Sequence, residues 1–294
     1  MKEGIVNYGD HPLKQLKLYQ LDESNEETLL LIHGGAWRDP NNTYNDFEDM
    51  IGHIQKNQYS AKYNLVAMNY RLSPEVKHPY HLWDVLEGLQ FLVQNYNIRK
   101  ILIAGHSVGA TLMLQLLDYN KVLDSGFRKL QDDLKDDKAS AIREGVDLNV
   151  PLEKERTLLN ETMENLQLKT FCFIDGIYDV VQLVDEYGSP YESFINDAFS
   201  SPEQYSEATQ LSSTTIDVRS PFSFNILLEN VLKELKLVVL QSNQDELLSM
   251  RQTNLFIEYL TQKNLIFRSV VGEWGEHEQV YRHEDVAKIV LDSI

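Results

Sequence analysis

The stretch Ile101-Leu102-Ile103-Ala104-Gly105-His106-Ser107-Val108-Gly109-Ala110 decides how the rest of the chain is read. Its opening residues are small or apolar at every position, as in a strand buried on both faces. Gly-His-Ser-Val-Gly follows at the G-x-S-x-G spacing, and residues 110–117 are a run of good helix formers. Strand, tight turn and helix together describe a nucleophile elbow, in which a strained turn lifts the Ser107 hydroxyl above the end of a sheet. Gly105 and Gly109 lack a Cβ, so strand and helix can cross closely there. The spacing alone also fits an ordinary strand-to-helix turn that carries a serine. Its meaning depends on partners elsewhere in the chain.

The flanking sequence supplies the setting. Short apolar runs at 29–32, 65–70, 170–174, 237–240 and 266–271 read as buried strands, and the alternating residues 14–21 predict an exposed edge strand. Between them, 43–58, 80–96, 250–261 and 279–294 carry helical signals. Strands alternating with helices predict an α/β fold: a mostly parallel sheet with helices on both faces, in a single domain. Residues 121–168 depart from this pattern. They are charge-rich and sit where a short connection is expected, so they read as a surface insertion or cap after the nucleophile helix. Residues 189–224 read as irregular. Either segment is placed to form a lid.

Composition narrows the partners. The chain has 294 residues, with 27 Lys+Arg against 45 Asp+Glu and a formal net charge of −18. Such a surface repels nucleic acid and anionic membranes, so neither is an expected partner. No apolar run is long enough to span a bilayer, and the polar N-terminal residues lack a signal core. The one cysteine, Cys172, lies in a strand run and reads as a buried core residue rather than a reactive thiol. A single cysteine and no signal point to the cytoplasm. No metal-ligand spacing or phosphate loop is present, so no metal and no cofactor are expected.

A serine hydroxyl needs a base, and the base needs a carboxylate to fix its tautomer. In this type of sheet they follow in the order Ser, acid, His. After the strand at 237–240 comes Gln241-Ser242-Asn243-Gln244-Asp245-Glu246, and Asp245 is the first candidate acid. It also fits a helix N-cap. Glu246, Asp175 and Asp179 compete with it. After the last strand, Gly272-Glu273-Trp274-Gly275-Glu276-His277 delivers His277 as the candidate base, with His283 the weaker alternative. His11, His53, His78 and His81 read as surface or capping residues. After the strand at 29–32 stands His33-Gly34-Gly35-Ala36-Trp37. Paired glycines let backbone N–H groups face a developing oxyanion, and losing one such donor typically costs about 3–4 kcal/mol. The amides of Gly35, Ala36 and Val108 are the candidate oxyanion hole. His33 reads as a structural hydrogen-bonder, and Trp37 and Trp274 as candidate pocket walls.

These residues resemble a known family. His33-Gly34-Gly35-Ala36-Trp37, Asn69-Tyr70-Arg71-Leu72-Ser73-Pro74 and Gly105-His106-Ser107-Val108-Gly109 look like the α/β-hydrolase branch related to hormone-sensitive lipase. Many of its members carry His-Gly-Gly-Gly, whereas Ala36 and Trp37 follow here. The H-G-G-x-W form is similar to the fungal kynurenine formamidases, or arylformamidases. The likeness runs from about residue 11 to the end, with 121–168 the departure. It implies Ser107 as nucleophile, Asp245 as acid, His277 as base, and the Gly35 and Ala36 amides as oxyanion hole. It further implies hydrolysis of N-formyl-L-kynurenine, a small-molecule substrate, by a cofactor-free enzyme that is often a homodimer. Arg38 and Arg71 are both open as partners for the substrate carboxylate. A short-chain carboxylesterase with the same triad is the alternative activity, and a catalytically inactive binding protein is the alternative class.

Overall fold

The computed structural model describes residues 2–57, 60–135, 147, 149–209 and 234–293. Eight strands form one sheet: β1 (Lys2–Asn7), β2 (Gln15–Leu21), β3 (Glu27–Ile32), β4 (Tyr63–Met68), β5 (Lys100–His106), β6 (Gln167–Ile174), β7 (Lys236–Ser242) and β8 (Phe267–Gly272). Their spatial order is β1-β2-β4-β3-β5-β6-β7-β8. β1 and β2 are antiparallel to their neighbours, and β4, β3, β5, β6, β7 and β8 run parallel.

The alternation of each central strand divides the core in two. Leu30, Ile32, Val66, Met68, Ile101, Ile103, Phe171, Phe173, Leu237 and Val239 face one layer. That layer is closed by α2 (Tyr80–Tyr96), α3 (Val108–Leu116) and α9 (Met250–Gln262). Leu29, Leu31, Leu65, Ala67, Leu102, Ala104, Cys172, Ile174, Val238 and Leu240 face the other. There α1 (Glu48–Gln55) and α10 (Glu284–Asp292) cover them. Both faces are apolar because both are covered, which is why these strands show no polar alternation in sequence. Cys172 is buried and unpaired, and burial pushes its thiol up to about 12.

Several expectations change. The edges of the sheet are β1 and β8, not residues 14–21. β2 lies inside, between β1 and β4, and buries Leu16 and Leu18. The helical signal at 43–58 resolves into a 3₁₀ turn capped by Thr43, then α1. The signal at 279–294 breaks at His283, which caps α10 through a hydrogen bond from the Asp285 amide. Residues 121–168 supply two helices to the molecule. α4 (Tyr119–Asp133) buries Val122, Leu123, Phe127 and Leu130 in the larger core layer, and α5 (Glu153–Asn165) buries Leu159 there. The middle of the predicted insertion, 136–146 and 148, lies outside the described residues. The stretch read as irregular is helical over its described part, as α7 (Ser189–Ala198) and α8 (Pro202–Thr209), preceded by α6 (Val180–Tyr187). Its remainder, 210–224, lies outside the described residues.

Strained backbone gathers at one end of the sheet. Ala36, Trp37, Ser107 and Asp175 all have positive φ, at 51°, 59°, 54° and 41°, and all follow the C-terminal ends of strands. Such conformations cost of order 1–3 kcal/mol each and persist only where neighbours hold them. The hold at Ser107 is visible. Its N–H donates to the Ile174 carbonyl at 3.0 Å, and Ile177 N–H donates to its carbonyl at 3.3 Å. α3 then passes so near β3 that a Cβ on Gly109 would lie 2.3 Å from the Ile32 carbonyl oxygen. Backbone cannot yield as a side-chain tip does. Gly109→Ala is therefore expected to cost about 1–3 kcal/mol, the usual penalty of overpacking, measured by urea unfolding. An unchanged midpoint would show that α3 is not pinned at this crossing.

Candidate active site

Four loops at the C-terminal end of the sheet meet at Ser107. The β5–α3 turn presents Ser107 itself at the start of α3. Val108 opens that helix, so its amide is one of the N-terminal N–H groups without an intrahelical acceptor. The β3–α1 loop brings Gly34, Gly35 and Ala36 alongside. A Cβ on Gly34 would lie 2.9 Å from both the His106 ring and the Ser107 Cβ, so only glycine allows this approach. The loop is anchored behind by Tyr70, whose hydroxyl donates to the carbonyls of His33 at 3.1 Å and Gly34 at 3.0 Å. His33 stacks on the Tyr70 ring at 4.5 Å, with Nδ1 3.0 Å from the Gly34 carbonyl. Burial lowers its imidazole to about 4, so it is neutral at pH 7 and serves the loop's shape.

The loops after β7 and β8 supply acid and base. Asp245 Oδ2 lies 2.7 Å from His277 Nδ1. Its Oδ1 accepts from the Leu247 and Leu248 amides, each at 2.8 Å, and Gln241 Nε2 donates to Oδ2 at 3.3 Å. Burial on its own would raise this carboxyl. The hydrogen bond and charge of His277, with the two amides, outweigh burial and hold it below the ordinary carboxylate range. The predicted N-cap role is shifted: Asp245 caps the turn before the helix, while Ser249 caps α9. Glu246 accepts from the His277 amide at 2.8 Å, and Gln244 from the Gly275 amide at 2.8 Å. Ser242 Oγ donates to the Gly275 carbonyl at 2.6 Å. The loop that carries the acid thus fixes the loop that carries the histidine. Asp179 caps α6 instead, accepting from the Gln182 amide.

Ser107 and His277 line one cavity of about 330 Å³, together with Gly35, Ala36, Arg38, Asp39, Asn42 and Glu278. Its remaining wall comes largely from α7 and the neighbouring loops, through Pro190, Tyr191, Phe194, Ile177, Leu247 and Leu248. Neither tryptophan takes the place expected of it. Trp37 is buried behind the wall, edge-on to Phe199 at 5.3 Å and 6.2 Å from Phe194. Trp274 is buried in the layer of α1 and α10, and a Cβ on Gly272 would meet its ring. Their left-handed or glycine-flanked loops turn the indoles inward, where apolar area is worth most. The lining aromatics are Tyr191 and Phe194, one helical turn apart on α7. The i, i+3 aromatic pair after Ser-Pro is the signal that finds them in sequence.

His78 and His81 are also not surface residues. Both are fully buried, and burial lowers each to about 3. His81 Nε2 lies 3.1 Å from Ser73 Oγ, and His78 stacks on Phe199. Arg71 is spent on structure: it bonds Asp84 through its amide, Nε and Nη2, and Asp147 through Nη1 at 2.8 Å.

Asp175, a competitor for the acid in sequence, is not the carboxyl bonded to His277 Nδ1. It follows β6, is completely buried, and accepts from the Ser242 amide at 2.8 Å through Oδ1. Burial first, and then the charge of Asp245, push its carboxyl up to about 9. Among the described residues, ligand-capable atoms converge within 4.8 Å in two groups, Asp175–Asp245–His277 and His106–His277–Glu278. Neither donor set suits a cation. His277 Nδ1 faces Asp245, Asp175 Oδ1 already accepts from the Ser242 amide, and Glu278 Oε2 already accepts from Asn42 at 2.9 Å and Tyr281 at 2.7 Å.

The comparisons with known proteins agree with this geometry. The BD-FAE family model matches residues 16–260. A kynurenine formamidase of Debaryomyces hansenii is 76% identical over 294 residues, covering 100% of both chains. A kynurenine formamidase of Saccharomyces cerevisiae is 30% identical over 284 residues, 96% of this chain and 94% of that one. Among solved structures, esterase B from Lactobacillus rhamnosis (HN001) superposes with a TM-score of 0.63 at 12% identity, over 98% of this chain and 81% of that chain. That likeness concerns the fold. The chain has the α/β-hydrolase fold and belongs to the BD-FAE family and, within it, to the kynurenine formamidases.

Proposed function

We propose that this protein hydrolyses N-formyl-L-kynurenine to L-kynurenine and formate. The observation that carries this reading is the end-to-end identity with a curated kynurenine formamidase. The site supports a covalent route. Ser107 Oγ attacks the formyl carbon while His277 Nε2 takes its proton, Nδ1 resting on Asp245. The carbonyl oxygen becomes an oxyanion held by the amides of Gly35, Ala36 and Val108. His277 returns the proton to the aryl amine, which leaves, and Ser107 carries a formyl ester. Water activated by the same histidine then releases formate. The reaction belongs to tryptophan breakdown, and the cytoplasm, as a reducing compartment, suits the single buried cysteine.

A formyl group offers little surface to recognise, so selectivity must come from the amine side. Tyr191 and Phe194 provide an aromatic wall for the aryl ring. Tyr191 is fixed by donating to the Leu247 carbonyl at 2.5 Å and stacks on Tyr187 at 4.3 Å. Arg38 is the better of the two arginines for the substrate carboxylate. It lines the cavity, 5.9 Å from the Phe194 ring centre, and is held by Ser193 and Asp197 at 2.9 and 2.7 Å. Arg71 does not line it. Asp39 and Glu278 stand on the same rim for the ammonium group.

Three measurements test this. Ser107→Ala should abolish deformylation of N-formylkynurenine in a steady-state assay, and full retention would exclude the serine route. On wild type, a preference for an aryl acetate over N-formylkynurenine by orders of magnitude would make the protein an esterase instead. Arg38→Met should raise KM for N-formylkynurenine by about 10-fold to 100-fold, as expected for one charge-assisted pair. Its kinetics on an uncharged aryl ester should barely change. An equal loss on both substrates would assign Arg38 to structure.

A further inference from the structure

The mechanism above uses Asp245 and leaves Asp175 without a task. Yet Asp175 is buried to the last atom and sits in a left-handed conformation that only its surroundings sustain. Its amide donates to the Leu240 carbonyl at 3.0 Å, and its Oδ1 accepts from the Ser242 amide at 2.8 Å. The side chain is therefore clamped to the end of β7, the strand that leads into Asp245. Its other oxygen, Oδ2, has no N–H or O–H donor among the described residues. An oxygen of Asp175, an oxygen of Asp245 and a ring nitrogen of His277 lie within 4.8 Å of one another. Two ionised carboxylates cannot share so small a buried volume without a cation or a proton between them.

Resting on the triad reading above, we infer that Asp175 is a positioning residue: held as the neutral acid, it donates a hydrogen bond from Oδ2 to the Asp245 carboxylate and so fixes the acid against which His277 turns. Asp175 Oδ1 takes the Ser242 amide, and Oδ2–H serves Asp245. Asp245 in turn accepts from His277, Gln241, Leu247 and Leu248. The upward shift of Asp175 and the downward shift of Asp245 have the signs this division requires. The titratable groups facing Asp175 are Asp245 and Glu246 from the β7–α9 loop, Tyr178 from the loop after β6, and His277 from the loop after β8.

Stability gives a readout that a merely packed residue would not move. Between the ordinary carboxyl value of 3.8 and about 9 the folded protein keeps a proton that the unfolded chain releases. The unfolded state binds fewer protons there, so this group costs stability that grows as pH rises across that window. Asparagine reproduces the shape, tolerates positive φ and offers an N–H in place of O–H, but it does not titrate.

The experiment compares wild type, Asp175→Asn, Asp175→Ala, Asp245→Asn and Ser107→Ala by thermal unfolding and by kcat, each across pH 5–10, about the range that brackets the transition. The Tm advantage of Asp175→Asn over wild type should widen as pH rises toward 9. Asp175→Ala should lose about 10-fold to 100-fold in kcat, the equivalent of one hydrogen bond to a charged acceptor. Asp175→Asn should restore most of that loss and remove the decline of wild-type activity above about pH 9. A Tm difference independent of pH would overturn the neutral acid. Wild-type kcat in Asp175→Ala would overturn the positioning role. A loss in Asp175→Asn as deep as in Asp245→Asn would make Asp175 a triad acid in its own right. Activity surviving in Ser107→Ala would instead remove the triad, while the Tm comparison would still report the proton on Asp175.

Discussion

The site depends on a ladder of backbone hydrogen bonds that runs across the ends of four parallel strands. The residue after each strand donates to the last carbonyls of the next strand: Ser107 to Ile174, Asp175 to Leu240, Asn243 to Gly272. Each bond bends the departing chain over the sheet's rim at a defined height. Two of the three donors adopt positive φ without being glycine, which places their side chains above the sheet rather than in either core layer. The strain is paid for by the surrounding packing, chiefly the contact of α3 with β3 at Gly109. Nucleophile, buried acid and acid loop are therefore spaced by strand separation, a quantity that the sheet cannot vary.

Electrostatics then divides the roles. Asp175 and Asp245 are chemically identical side chains within reach of one histidine. Asp245 receives N–H donors and the histidine, and it stays ionised. Asp175 receives one amide and is otherwise enclosed, and it keeps its proton. Neighbouring carboxyls whose environments push their affinities apart are a recurring way to assign proton roles within one site. The substrate side follows a similar economy. Arg71, bound on both edges by Asp84 and Asp147, ties the β4 loop to α2, while Arg38 lines the cavity with its guanidinium paired to Asp197.

Much of this was legible in the chain itself, because the central strands and the elbow are local signals. A buried strand of four apolar residues and a G-x-S-x-G turn need no distant partner to be recognised. The order Ser107, Asp245, His277 follows from strand succession alone. What escaped is what depends on the third dimension. β1 has the polar composition of a tail and becomes a strand only because β2 offers an edge. Trp37 looks like a wall by its place beside the oxyanion loop, but its positive φ turns the indole into the cluster of α6, α7 and α8. Tyr191 and Phe194 lie in a stretch without strong periodicity and reach the cavity because α7 folds back over it. His81 reads as a surface or capping residue, but it and Asp84 are buried on α2, each with a polar partner that sequence does not display. Asp175 was visible as an acid after a strand, but only its separation from Asp245 reveals a shared proton.

The central claim is that Ser107 is the nucleophile of a deformylation site assembled by these loops. Treatment with an aryl phosphonate, followed by peptide mapping and assay on N-formylkynurenine, tests it most directly. The account predicts one adduct per chain on Ser107, complete loss of deformylation, and slower labelling in the presence of N-formylkynurenine. Full labelling of Ser107 with deformylation intact, or loss of deformylation with the adduct on another residue, would contradict it.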